Sequence, residues 1–285
     1  MVVVLALMSS LLWGIADFSG GTASRRLPAM VVVLASQATG LVPPLVAALA
    51  IGAWSAPAGY LPWAAAAGLT GMLGLLLFYR AMAIGTIGVV SPIAALSVVI
   101  PVAAGLATGH WPSAVAGAGI VLAVIGVVAA SGPERAQGRS IRPVALAVVA
   151  AACFGTALLF IARGAEYSPL LTMVGMRVAS VLPLGALVLV LRSRGRLVAV
   201  APGPRAGWRT WALVAVAGVF DVSANLAFAV ASTGGSLAVV AVLGSLYPAV
   251  TVVLAGLVHG ERLARLQQAG VVLALAGVAL IAGWS

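Results

Sequence analysis

Ten apolar runs, each near the roughly twenty residues a helix needs to cross a bilayer, follow one another with short connections. They cover about 2–22, 30–51, 62–83, 88–108, 112–131, 143–162, 170–191, 209–231, 236–258 and 265–283. Backbone amides in hydrocarbon must bond within their own segment, and the runs lack the strict alternation of a lipid-facing barrel strand. The reading is therefore an all-α integral membrane protein with ten transmembrane helices. A chain that is 63% hydrophobic and 7% charged, with a mean hydropathy of +1.22, has too little polar surface for a water-soluble body. The first run reads as a span, because it has no basic leader, no small-residue cleavage site, and contains Asp17.

The runs also repeat. Pro43 and Pro183 lie 140 residues apart, Pro101 and Pro248 lie 147 apart, and the pair Gly119 and Gly126 returns 151 residues later as Gly270 and Gly277. The expected organisation is a first five-helix repeat over 1–131, an Arg-rich connection over 132–142, and a second five-helix repeat over 143–285. Five spans per repeat is odd, so the second repeat enters the membrane from the opposite face. Two inverted halves of this kind are the usual basis of alternating access in transporters.

Charge and chemistry narrow the function. The fifteen basic residues are all arginine, which removes the lysine of a phosphate-binding loop and of Schiff-base catalysis. Cys153 is the single cysteine, and His110 and His259 stand apart in short connections, so no disulfide, cofactor or metal site is expected. The net charge of +10 does not indicate nucleic acid, because the arginines lie in connections between spans. The first, fifth, seventh and ninth connections hold twelve of them, from Arg25 and Arg26 to Arg262 and Arg265, whereas the even connections hold only Arg163. The positive-inside rule then puts the odd connections in the cytoplasm of an inner or plasma membrane and the termini outside. Anionic lipid is the partner this charge distribution implies.

Leu12-Trp13-Gly14 in the first span, Phe154-Gly155 at the repeat position, Leu246-Tyr247-Pro248, and Gly260-Glu261-Arg262 followed by Gly270 and Gly277 together resemble the EamA-type members of the drug/metabolite transporter superfamily. The resemblance covers essentially the whole chain. It implies a ten-helix exporter or importer of small metabolites, and cytoplasmic termini, opposite to the arginine count. The first half departs from the pattern, with His110-Trp111-Pro112 where a Gly-Glu-Arg-like turn is expected.

Candidate site residues are the polar groups inside the spans, where an ionised side chain costs about 2.5–3.5 kcal/mol on the mildest scales. Asp221 and Asn225 are four residues apart and share a helix face. Arg177 falls at a similar depth, giving an Arg177–Asp221–Asn225 cluster in which either the arginine binds a solute carboxylate or phosphate while Asp221 takes up a proton or releases Arg177, or the charges form a permanent ion pair. A second layer is expected toward the opposite face, formed by Asp17 with Trp13 one turn before it, Gln37, Tyr79 and Arg80. Pro43, Pro101, Pro183 and Pro248 are candidate helix breaks, since proline frees the carbonyl one turn earlier.

The function that fits is a secondary transporter of an amino acid, organic acid or drug-like solute, with proton-coupled efflux as one form of it, acting as a monomer or homodimer. An intramembrane aspartyl enzyme is the alternative, opposed by the different depths expected for Asp17 and Asp221 and by the lack of a Gly-x-Gly-Asp sequence. A channel would need a continuous polar pore in place of two layers.

Overall fold

The structure is a computed structural model that describes residues 1–107, 141–195, 207–261 and 264–283, with scattered positions between 114 and 129. Among these residues it is helical throughout its ordered elements, without a strand. The helices are α1 (Val2–Ser24), α2 (Ala29–Ala50), α3 (Leu61–Ile84), α4 (Ile87–Ala94), α5 (Val99–Ala107), α6 (Arg142–Ala165), α7 (Pro169–Ser193), α8 (Trp208–Gly234), α9 (Leu237–Gly244), α10 (Tyr247–His259) and α11 (Arg265–Gly283).

Local sequence sets these limits. Pro28 precedes α2, and proline occupies the first turn of α3, α6, α7 and α10, where its missing N–H has no helical partner to lose. Ser168 caps α7 by accepting a hydrogen bond from the Leu171 amide at 3.3 Å. Gly260, at φ 64°, takes the left-handed conformation that ends α10 and turns the chain toward Glu261.

Seven helical stretches among the described residues are long and apolar enough to cross a membrane: Val2–Ser24, Ala29–Ala50, Ala58–Ile84, Arg142–Ala165, Pro169–Ser193, Trp208–Gly234 and Val239–His259. Ile87–Pro101 is a shorter apolar helix. The expected fifth span at 112–131, the connection at 132–142 and the ends of two further connections lie wholly or largely outside the described residues. The protein is a multi-pass integral membrane protein, and its outward faces carry side chains such as Val46, Leu182, Leu189 and Leu257, suited to lipid.

Two of the four expected proline breaks are corrected. Helix α2 runs unbroken through Pro43 and Pro44, and α7 through Pro183. A membrane helix can keep its path past a proline when neighbouring helices cover the carbonyl it frees. Near Pro101 and Pro248 the chain does break: a 3-10 turn over Ala95–Val98 separates α4 from α5, and Ser245–Leu246 separates α9 from α10. Each proline then sits within the first turn of the following half-helix.

The halves interlock. Helix α1 packs along α8 and against α9 and α10, while α6 packs along α3 and against α4, the 3-10 turn and α5. Two glycines make these crossings close. A Cβ on Gly14 would lie 2.8 Å from the Tyr247 carbonyl oxygen, and one on Gly155 would lie 2.3 Å from that of Ser97. The first helix of each half thereby rests on the broken helix of the other.

Candidate functional site

The interlocking helices bring their polar residues to the middle of the molecule. Arg177 on α7 is 1% exposed. Its Nη1 donates to Gln37 Oε1 on α2, and its Nη2 lies 2.8 Å from Asp221 Oδ2 on α8. The latter is an ion pair rather than an aligned hydrogen bond, so Nη2 and Nε both lack an aligned acceptor. Ser180 Oγ, one turn from Arg177, also donates to Gln37 Oε1 at 3.0 Å. Asn225 Nδ2 donates to Asp221 Oδ1 at 3.1 Å and to the Asp221 carbonyl at 2.7 Å. Gln37 Nε2 reaches toward Asp221 Oδ2 at 3.5 Å. Three helices are thus tied through one buried arginine, and the carboxylate is supplied with donors on both oxygens.

A cavity of about 70 Å³ lies beside this network. Gln37, Arg177, Asp221 and Asn225 border it, and so do Trp13 and Asp17 from α1. Its apolar wall comes from α3 and α6, including Leu75, Phe154 and Ile161. Ser97 and Ser245 reach it from the two helix breaks, and Tyr247 from the start of α10. Since a water needs roughly 10–15 Å³ on this measure, there is room for several waters or one compact polar group.

Asp17 differs from Asp221. It is 7% exposed and borders the cavity, yet among the described residues it has no ion-pair or hydrogen-bond partner. Trp13, one turn away on α1, packs edge-on to Tyr247 at 6.4 Å and tilted against Phe228 at 5.7 Å. The Tyr247 hydroxyl is buried without a hydrogen-bond partner among the described residues.

The two expected layers are corrected to one site. Gln37, assigned to the layer of Asp17, belongs to the Arg177 network, and Asp17 borders the same cavity as Asp221. The expected depth difference between the two aspartates therefore no longer argues against shared chemistry. Arg80 is also corrected, because it is exposed on the outside of α3 and does not line the cavity. Adjacent helical residues point about 100° apart, so when Tyr79 faces inward Arg80 faces out. Tyr79 is 1% exposed, but its ring packs over Gly20 and does not line the cavity. Sequence reasoning missed Ser97, Ser245 and Tyr247 as lining residues. Their position just before Pro101 and Pro248, where a half-helix begins, was the signal that pointed to them.

At the end of the molecule that carries the arginine-rich connections, a set of polar contacts joins helix ends. Arg25 Nη2 lies 2.5 Å from Glu261 Oε1, and Glu261 Oε2 accepts from the Gly88 amide at 3.1 Å. Thr22 Oγ1 and His259 Nε2 are 2.8 Å apart, and Arg26 Nη1 donates to Thr210 Oγ1 at 3.4 Å. Helices α1, α4, α8 and α10 are fastened together at this arginine face. Glu261, of the Gly260-Glu261-Arg262 motif, thus has a specific set of partners, and Arg262 lies outside the described residues. On the opposite side, Ile161 and Ala241 line the cavity within about one turn of their helix ends. The cavity is thus displaced away from the fastened face.

Comparison with known proteins agrees with this architecture. The model of a family described as the EamA-like transporter family matches residues 141–283. A solved structure described only as the crystal structure of a protein superposes with a TM-score of 0.71 at 16% identity, covering 98% of this chain and 95% of the other. At that identity the likeness concerns the fold. Comparison with curated protein sequences gives no match.

Proposed function

The chain belongs to the EamA-like transporter family, and from that premise we propose that it is a secondary transporter moving a small metabolite across the inner or plasma membrane by alternating access. The observation that carries the proposal is a cavity set between two broken helices, bordered by ionisable side chains and closed toward the arginine face. Discontinuous helices at mid-membrane are where such proteins bind solute, since their freed backbone groups can be satisfied there by ligand or water.

Ten spans in two inverted repeats are part of the same proposal. Two observations support the symmetry. Helix α1 rests on α8 and the broken α9–α10 as α6 rests on α3 and the broken α4–α5. Gln37 and Arg177, 140 residues apart, are in direct contact. Residues exchanged by a two-fold axis can touch only if they lie close to that axis. Halves related in this way have open and closed forms of similar energy, so a small ligand contribution shifts the population.

The contacts at the arginine face then act as one gate. They hold that side shut while the other side admits solute, and their rupture accompanies the opposite state. Asp17 or Asp221 takes up the coupled proton, and efflux is the direction that a proton gradient would drive by exchange.

Purified protein in proteoliposomes tests the proposal. Flux of a solute panel, with and without a pH gradient, is compared for the wild type, Arg177→Ala and Asp221→Asn. Gradient-dependent flux that falls in both variants, with elution as a single folded species in detergent, supports the site. Wild-type flux that both variants retain removes the network from transport, and absence of flux for every solute removes the transporter reading.

A further inference from the structure

We infer that the solute is a monovalent organic ammonium ion whose charge is held by Asp17 and whose apolar surface lies against Trp13. This deepens the transporter reading of the same cavity and rests on it.

The argument is one of charge balance. Among the described residues, the acidic and basic side chains that border the cavity are Asp17, Arg177 and Asp221, beside the phenol of Tyr247. Arg177 and Asp221 neutralise each other at 2.8 Å, leaving Asp17 as the cavity charge without a partner among the described residues. A lone carboxylate in a low-dielectric interior is costly until a cation or a proton joins it. Accessibility points the same way. The guanidinium is almost fully enclosed, and its unaligned Nε and Nη2 have almost no accessible surface, so an anionic solute could reach it only by displacing Asp221 or Gln37. Such a solute would also meet two carboxylates on its way in. A cation meets the opposite situation.

The surroundings of Asp17 suit an ammonium group. The Trp13 ring lies one turn away on the same helix and lines the same cavity, and an aromatic face attracts a cation. Tyr247, edge-on to that ring, carries a buried hydroxyl oxygen that has no partner among the described residues and can accept from an N–H donor. Aromatic enclosure around one carboxylate discriminates by charge and by apolar contact together. Because solute and proton neutralise the same carboxylate, one proton leaves as one ammonium ion binds. The cavity then passes between two states of equal charge.

The test uses three small, permanently charged solutes in proteoliposomes: tetramethylammonium, methanesulfonate and glycine betaine. The expected result is wild-type tetramethylammonium flux at least about tenfold above methanesulfonate and betaine, reduced by at least about tenfold in Asp17→Asn and restored in Asp17→Glu, as for loss and return of a desolvated charge partner. Preference of the wild type for methanesulfonate or betaine overturns the inference and leaves the transporter reading intact, and so does an unaltered cation preference in Asp17→Asn. Absence of flux for all three, together with the wider panel above, overturns both. The wild-type comparison needs no variant, so misfolding of Asp17→Asn does not shield the proposal.

Discussion

Arg177 donates from Nη1 to the side-chain oxygen of Gln37, the residue 140 positions before it, while its Nη2 meets Asp221. The separation is the same as that between Pro43 and Pro183. One guanidinium thus joins the second helix of each half to α8, and its neutralisation is internal. These contacts tie Asp221 and Gln37 together at the edge of the cavity.

Removing either member of this pair leaves the other buried and unpaired. Arg177→Met and Asp221→Leu are each expected to lower stability by about 3–5 kcal/mol, whereas the double variant loses less than the sum of the two. Denaturant unfolding in detergent micelles measures this. Additive losses would mean the two side chains do not interact.

Coupling separates the two aspartates. Asp221 is tied to Arg177 and Asn225, whereas Asp17 has no partner among the described residues. Asp221→Asn is therefore expected to slow flux but keep its response to a pH gradient. A flat pH response in that variant would transfer the proton to Asp221.

Close crossing at the helix breaks depends on glycine. A Cβ on Gly155 would lie 2.3 Å from a backbone oxygen, while one on Gly71 would meet nothing nearer than 3.8 Å. Gly155→Ala is expected to cost about 1–3 kcal/mol, and Gly71→Ala to be close to neutral. Thermal unfolding of the two variants side by side decides the matter, equal losses being the contrary result.

The arginine face should open more readily when Glu261 is neutralised. Glu261→Gln weakens the ion pair to Arg25, which is partly exposed and so contributes about 0.5–1 kcal/mol, enough for a two- to fivefold change in population. In a Cys153→Ser background, a cysteine placed by Ser245→Cys reports the change as faster labelling by a membrane-impermeant thiol reagent applied at that face. Unchanged labelling would detach these contacts from gating.

Arg80 supplies the contrast. Exposed and away from the cavity, it should be dispensable, and Arg80→Gln is expected to keep flux within about twofold of the wild type. A larger loss would restore Arg80 to the site.

Hydropathy and run length, both local properties, were enough to identify an all-α membrane protein and to pick out Arg177, Asp221 and Asn225 as costly groups inside spans. The short motifs also pointed to the family whose model matches 141–283. Position along a helix can be counted from its ends, but the depth at which two helices meet depends on how they tilt and cross. Rotation about the helix axis and the lateral choice of neighbour cannot be counted either, because a featureless apolar run has no pattern that says which side meets protein and which meets lipid. Gln37 therefore moved from one expected layer to the other, Asp17 joined the same cavity as Asp221, and Arg80 turned outward beside an inward Tyr79. Pro43 and Pro101 looked alike as residues, yet only the helix near Pro101 breaks. At that break, Gly155 of α6 is seated on the Ser97 carbonyl. The sequence by itself determined the solvent, the helices and the polar residues that had to be hidden. Tertiary packing alone decided which of them meet, since burial in lipid is a property of each segment and contact is a property of their arrangement.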